Sequence, residues 1–327
     1  MKRKSYSLSI IMTLMGVLFC MPLLSACSSR DPQALTDELA YRQLGLNKME
    51  QGDYGGAAEA FSDALDESLA IIEPLELDIC YYKAKVQELS GDIQGAYDTY
   101  QNLISYNKKD YKAYYLRGCL HLRQGEQEEA KADLLAAIKV NKTDRSLATN
   151  VAERLSSMGM QSDANDILRQ AIKGGGTSPA DLRQIGYAYY LLGEYELARQ
   201  SLDKAAGQGD TTAILYLAKT YEAEGNTEQY EKQYQTYLAN HDGDTVALNG
   251  MALAKIETGE YEEALSLIQT ALAKEQPDNL QELKRNEIAI LEYTLDFAGA
   301  REKMESYLKD YPGDKEAAKE YEFLKTR

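Results

Sequence analysis

The sequence predicts an all-α protein, a solenoid of about eight stacked helix–turn–helix repeats, on three observations. First, a short glycine motif returns at a nearly constant interval. Its glycines, Gly52, Gly91, Gly125, Gly159, Gly193, Gly225 and Gly259, are separated by 39, 34, 34, 34, 32 and 34 residues. Periods of that size mark a repeat architecture. Second, each of these glycines lies between two apolar-periodic stretches of roughly 13 residues, where a helix ends and the chain reverses. Third, the 327 residues include only 6 Pro, while 44% are apolar and 27% charged. That composition suits helices and can bury a core. An isolated hairpin of this length cannot cover its apolar stripe, but stacked neighbours can.

The first element is not a repeat. Lys2, Arg3 and Lys4 precede an apolar run from Ile10 to Leu24, interrupted by Thr13, Gly16 and Pro22. As a helix the run would reach about 22 Å, less than the roughly 30 Å of a bilayer's hydrocarbon core. Residues 1–26 therefore read as a secretory signal peptide. The run ends in Leu24-Ser25-Ala26-Cys27, which resembles the lipobox of bacterial lipoproteins. That resemblance implies cleavage before Cys27 and lipidation of its thiol, with acyl chains such as palmitate giving a stable membrane anchor. Residues 27–36 are polar with one proline and are expected to form a short lipid-anchored tether. No second long apolar run follows, so the remainder is expected on the extracytoplasmic face of the cell membrane, anchored and not spanning it.

The repeats then follow one another. They read GDYGGA at Gly52, GDIQGA at Gly91, GEQEEA at Gly125 and GMQSDA at Gly159. They continue as GEYELA at Gly193, GNTEQY at Gly225 and GEYEEA at Gly259. An eighth copy, LDFAGA from Leu295, has lost its glycine. The pattern resembles the tetratricopeptide repeat over roughly residues 37–313, and the resemblance implies a right-handed superhelix. Copies one to four are assigned to 37–173, copies five to eight to 174–313, and a capping helix to 314–327. The family's small residues at helix crossings match Gly45, Gly118 and Gly186 in first helices. In second helices they match Ala57, Ala96, Ala130, Ala164, Ala198, Ala264 and Ala300, with a large side chain four positions later. Copy six departs most, with Tyr230 where alanine belongs. Gly174-Gly175-Gly176 reads as a hinge between two halves of four copies, after which Ser178-Pro179 restarts a helix as cap and first residue.

Several function classes are disfavoured. Without Lys2, Arg3 and Lys4 the chain carries 33 basic against 52 acidic side chains. Such a surface repels phosphate backbones, so no nucleic-acid partner is expected. The glycine run at Gly174 is not followed by GK[ST] and is not a phosphate loop. His121 and His241 belong to no HExxH motif or Cys/His cluster. Cys80 and Cys119 lie in successive first helices; their axial offset, added to roughly 9 Å between helices, exceeds the approximately 7 Å Cα limit for a disulfide. No catalytic residue, metal or cofactor is expected, and the protein is expected not to be an enzyme. The Lys–Asn–Arg carboxylate clamp of some tetratricopeptide domains is not expected either. Arg42 holds a clamp-like position, but Leu46 stands where asparagine is needed, and Arg285-Asn286 have no following copy.

The informative excess is 25 Tyr against 4 Phe and no Trp. In the family, first helices line a concave groove through positions 2, 5, 9 and 12, with 6 and 13 nearby, when the turn glycine is position 15. Those positions hold Tyr81, Tyr82 and Tyr115 in copies two and three, and Tyr187, Tyr190 and Tyr216 in copies five and six. Tyrosine offers a rigid contact surface with a polar tip. In an acidic chain this implies a protein or peptide partner of basic and aromatic or apolar character. The alternative is that the rings pack between neighbouring helices. The expected function is an extracytoplasmic, membrane-anchored scaffold that binds proteins in this groove. A periplasmic lipoprotein assisting outer-membrane or pilus assembly is the second reading, and cell-wall glycan binding the third.

Overall fold

The computed structural model describes residues 31–68, 72–275, 277 and 279–327. The signal segment, Cys27 and the first residues of the tether lie outside the described residues. Seventeen α-helices and no strand are found among those described. They form eight hairpins and a final single helix. The hairpins are α1 (Pro32–Glu50) with α2 (Tyr54–Glu67), α3 (Pro74–Ser90) with α4 (Ile93–Tyr106), α5 (Tyr111–Arg123) with α6 (Gln127–Val140), and α7 (Arg145–Ser157) with α8 (Gln161–Lys173). There follow α9 (Pro179–Leu191) with α10 (Tyr195–Gly207), α11 (Thr211–Ala223) with α12 (Thr227–Leu238), α13 (Thr245–Thr258) with α14 (Tyr261–Leu272), and α15 (Leu280–Tyr293) with α16 (Phe297–Asp310). The closing helix is α17 (Lys315–Leu324), capped by Asp314.

The expected tether is partly helical. Asp31 accepts a hydrogen bond from the Gln33 amide and Pro32 occupies the first turn, so residues 32–36 open α1.

Each hairpin turns the same way. In the fifth, the Gly193 amide bonds back to Tyr190 O (2.9 Å) and the Glu194 amide to Tyr189 O (2.9 Å). This closure needs a residue with positive φ, and all seven motif glycines have one. The eighth hairpin makes the same bonds around Leu295, whose φ of 64° is the one positive value for a non-glycine among the described residues. A left-handed L-residue costs roughly 1–2 kcal/mol, and glycine returns about 0.5–1 kcal/mol of that in unfolded-state entropy. Leu295 is 72% exposed, so little burial is lost with its side chain. Leu295→Gly should therefore raise the melting midpoint by about 1–4 °C. A lowered midpoint would show that the leucine contributes contacts of its own.

The helix crossings follow the repeat register. Ala57, Ala96, Ala130, Ala164, Ala198, Ala264 and Ala300 are all completely buried, as are the large residues four positions on, from Phe61 to Met304. Copy six solves its departure with aromatic packing. Tyr230, Tyr234 and Tyr237 all point inward from α12, and each hydroxyl finds a carboxylate: Glu257 (2.6 Å), Glu222 (2.8 Å) and Asp244 (3.2 Å). Lys255 ties α12, α13 and α14 together through Glu231 (2.9 Å), Glu260 (3.1 Å) and Glu263 (3.5 Å).

The chain forms two compact units, residues up to Ala96 and Tyr97–Arg327, with the boundary inside α4. The first unit packs around Phe61, Ile79 and Val86. The second carries a succession of small cores between successive hairpins, the last of them joining α15 and α16 to α17. The segment Gly174–Gly176, expected as a hinge, lies within the second of these units. The Arg145 guanidinium reaches across it from α7 to bond the carbonyls of Ala171 and Gly175 and the carboxylate of Asp181. Beyond that staple, Ser178 caps α9 with Pro179 as its first residue.

Candidate binding groove

In the first unit, Tyr81 and Tyr82 of α3 are half-buried. The Tyr82 ring stacks on Phe61 at 5.7 Å, and the Arg42 guanidinium lies 5.5 Å above it. Arg42 is committed to Asp78 of α3 at 2.5 Å, so the clamp-like arginine is a structural ion pair. In the second unit, Tyr115 leans on the core formed by α6, α7 and α8. Burial pushes its hydroxyl up from the ordinary phenol range, and the Cys119 thiol adds to this, while a hydrogen bond with Arg154 opposes it.

Tyr187, Tyr190 and Tyr216 come together. Tyr187 and Tyr216 stack at 4.3 Å, Tyr187 and Tyr190 at 5.9 Å, all with nearly parallel rings. The Tyr187 hydroxyl donates to Glu153 Oε1 at 2.5 Å, linking the stack to α7 of the preceding hairpin. Burial, and then the bond to Glu153, hold the Tyr187 hydroxyl well above the phenol range; burial alone leads for Tyr190 and Tyr216. The three rings are half-buried, neither free in solvent nor in the core.

Beside the stack opens a cavity of about 440 Å³. Seven of its ten lining residues occupy groove positions 2, 5, 9 or 12 of first helices, among them Tyr190, Lys219, Glu222, Asn249 and Glu282. An eighth, Tyr234, reaches it from the second helix α12, and Gly250 leaves room for that ring: a Cβ at 250 would overlap it. Asn249 is almost wholly buried and bonded at both ends of its amide. It donates to Glu282 Oε1 (2.8 Å) and accepts from Asn286 Nδ2 (2.7 Å).

The register that selects the tyrosines also selects Glu153, Glu222, Asn249 and Glu282. They carry the polar half of the groove and were within reach of the sequence, at positions 9, 12, 5 and 2 of their copies. Reading those positions only for aromatic and apolar types passes over them. Tyr234 was legible only as a core residue, since its exposure to the cavity depends on a glycine in another helix.

The remaining sequence candidates have structural partners. Arg285 pairs with Glu320 of α17 at 2.6 Å. His121 meets Glu126 at 2.6 Å, and His241 stacks on Tyr237 at 4.1 Å. Cys80 and Cys119 are free thiols. No group of three or more His, Cys, Asp or Glu placed to hold a metal is found among the described residues. No described helix is long and apolar enough to cross a membrane.

Comparison with known proteins agrees with this architecture. Residues 111–144 match one family model of the tetratricopeptide repeat and residues 42–103 another. Residues 184–308 match the model of the coatomer epsilon subunit. No curated protein matches the chain. Among solved structures, a tetratricopeptide repeat protein from Parabacteroides merdae is 15% identical with a TM-score of 0.55, over 77% of this chain and 99% of its own. The APC/C hetero-tetramer Cut9–Hcn1 contains a chain 12% identical with a TM-score of 0.50, over 91% of this chain and 57% of that one. Identities this low speak to the fold alone.

Proposed function

Because the chain is a tetratricopeptide repeat protein, we propose that it is a scaffold holding protein segments against the first-helix face of its second unit. One observation carries this reading: the stack of Tyr187, Tyr190 and Tyr216 borders a cavity lined mainly by groove positions. Tyrosine is enriched at protein interfaces and among their hot-spot residues. The scaffold works without catalysis. In this reading Cys27 is the lipid-attachment site, and the groove faces the extracytoplasmic side of the membrane to which it is held.

The test replaces Tyr187, Tyr190 and Tyr216 together by serine. Photo-crosslinking in cells, read by quantitative mass spectrometry, should show capture of the wild-type partners reduced by at least about thirtyfold, the equivalent of roughly 2 kcal/mol. Because the rings are half-buried and stacked, the variant should also lose stability, about 1–2 kcal/mol per ring, while keeping its helical signal. Undiminished capture by the folded variant would reject the groove.

A further inference from the structure

We infer that the cavity beside Tyr190 is a socket for one arginine side chain of the bound protein segment, an inference that rests on the groove reading above. The protein itself shows what such a socket needs. Four of its own arginines sit over a tyrosine ring while paired with a carboxylate. Arg42 lies over Tyr82 and pairs with Asp78; Arg117 lies over Tyr97 and pairs with Asp133. Arg199 lies over Tyr221 and pairs with Glu224; Arg285 lies over Tyr307 and pairs with Glu320. The cavity brings together the same two components, Tyr190 and Tyr234 with Glu222 and Glu282, and no arginine lines it.

The lining offers two carboxylates as acceptors, Glu222 and Glu282, with Lys219 as its cation. Glu222 accepts one hydrogen bond, from the Tyr234 hydroxyl through Oε2, and Glu282 accepts one, from Asn249 through Oε1. Each carboxylate thus keeps a second oxygen for an incoming donor. Asn249 bonds a neighbour at each end of its amide, and through its Nδ2 it holds Glu282 in place. Burial raises the Glu222 carboxyl; the hydrogen bond from Tyr234 and then the charge of Lys219 oppose this, and the fields of Glu282 and Glu257 add smaller contributions. The cavity lining holds two carboxylates, Glu222 and Glu282, against one cation, Lys219, and an entering guanidinium would balance the second negative charge.

Guanidinium fits better than ammonium. Its planar fork can engage carboxylate oxygens from two sides while lying flat on an aromatic face, and it gives up hydration more readily. A cavity of about 440 Å³ lies within the range of small-ligand sites, roughly 300–1,000 Å³, with space for the side chain and its aliphatic stem.

The probes are fluorescein-labelled heptapeptides, Gly-Ser-Phe-X-Phe-Ser-Gly, with arginine, lysine, citrulline or glutamate at X. Fluorescence anisotropy with the full chain should show the arginine peptide binding at least about tenfold more tightly than the other three. Glu222→Gln with Glu282→Gln keeps the acceptors for Tyr234 and Asn249 but removes the charge. That variant should lose at least about tenfold for the arginine peptide and melt close to wild type. Equal binding of arginine and citrulline, equal binding of arginine and lysine, no binding of any peptide, or full binding by the double variant would each overturn the socket. Cellular crosslinking separates this from the groove reading. If the Glu222/Glu282 variant captures wild-type partners fully while the triple tyrosine variant does not, the socket falls and the groove stands.

Discussion

Gly186→Leu should destabilise the second unit by about 3 kcal/mol. Gly186 lies in α9 where it crosses α10, and a Cβ there would come within 2.6 Å of Leu202 Cγ and 3.1 Å of the Ala198 carbonyl oxygen. Neither neighbour can retreat easily, since Ala198 and Leu202 are completely buried. Even one added methyl must push the two helices apart, and leucine adds three further carbons. The higher helix propensity of leucine returns only about 0.8 kcal/mol. Gly207, in the last turn of α10, supplies the control because nothing lies within 4 Å of a Cβ at that position. Gly207→Ala should be neutral or mildly stabilising. A urea melt of the three proteins decides: similar midpoints for Gly186→Leu and wild type would mean that the helices do not cross this closely.

The same comparison shows which features the sequence displays. A turn that requires positive φ, and a crossing that leaves no room for a side chain, each narrow the choice to one or two residue types. Gly52 through Gly259 could therefore be placed from spacing, and Ala57 through Ala300 from the resemblance to the repeat family that this spacing brings out. The groove tyrosines were legible through the same register, which brought Tyr187, Tyr190 and Tyr216 to one place. The carboxylates Glu222 and Glu282 stand at groove positions of the same register, but in a chain with 52 acidic residues their residue type does not draw attention to them; their neighbours in the structure do. The partner of the triglycine segment was illegible for a related reason: Arg145, which bonds the Gly175 carbonyl, is some 30 residues away in sequence and adjacent in space. At the start of α1 the signal was present in Asp31-Pro32, a cap and a first-turn proline, within a stretch read for its polarity.

Copy six offers the other large effect, and it is a coupling between two positions. Tyr234 fills the place of the large side chain in the second helix, is fully buried, and rests where Gly250 of α13 provides no Cβ. Tyr234→Leu should cost about 2–4 kcal/mol, from the lost ring and the lost hydrogen bond to Glu222. Gly250→Ala should cost about 1–3 kcal/mol, because the new methyl overlaps the tyrosine ring and Tyr230 and Met251 block its retreat in the same core. Leucine is shorter than tyrosine and leaves the methyl its space. The double variant should therefore be more stable than the sum of the single losses predicts, by about 1–2 kcal/mol. Strict additivity in urea melts would mean that ring and backbone do not meet. With a coupling of this size, Gly250 is the residue that lets Tyr234 pass from the core to the floor of the groove cavity. The departure of copy six from the repeat pattern is then what shapes the groove at that point.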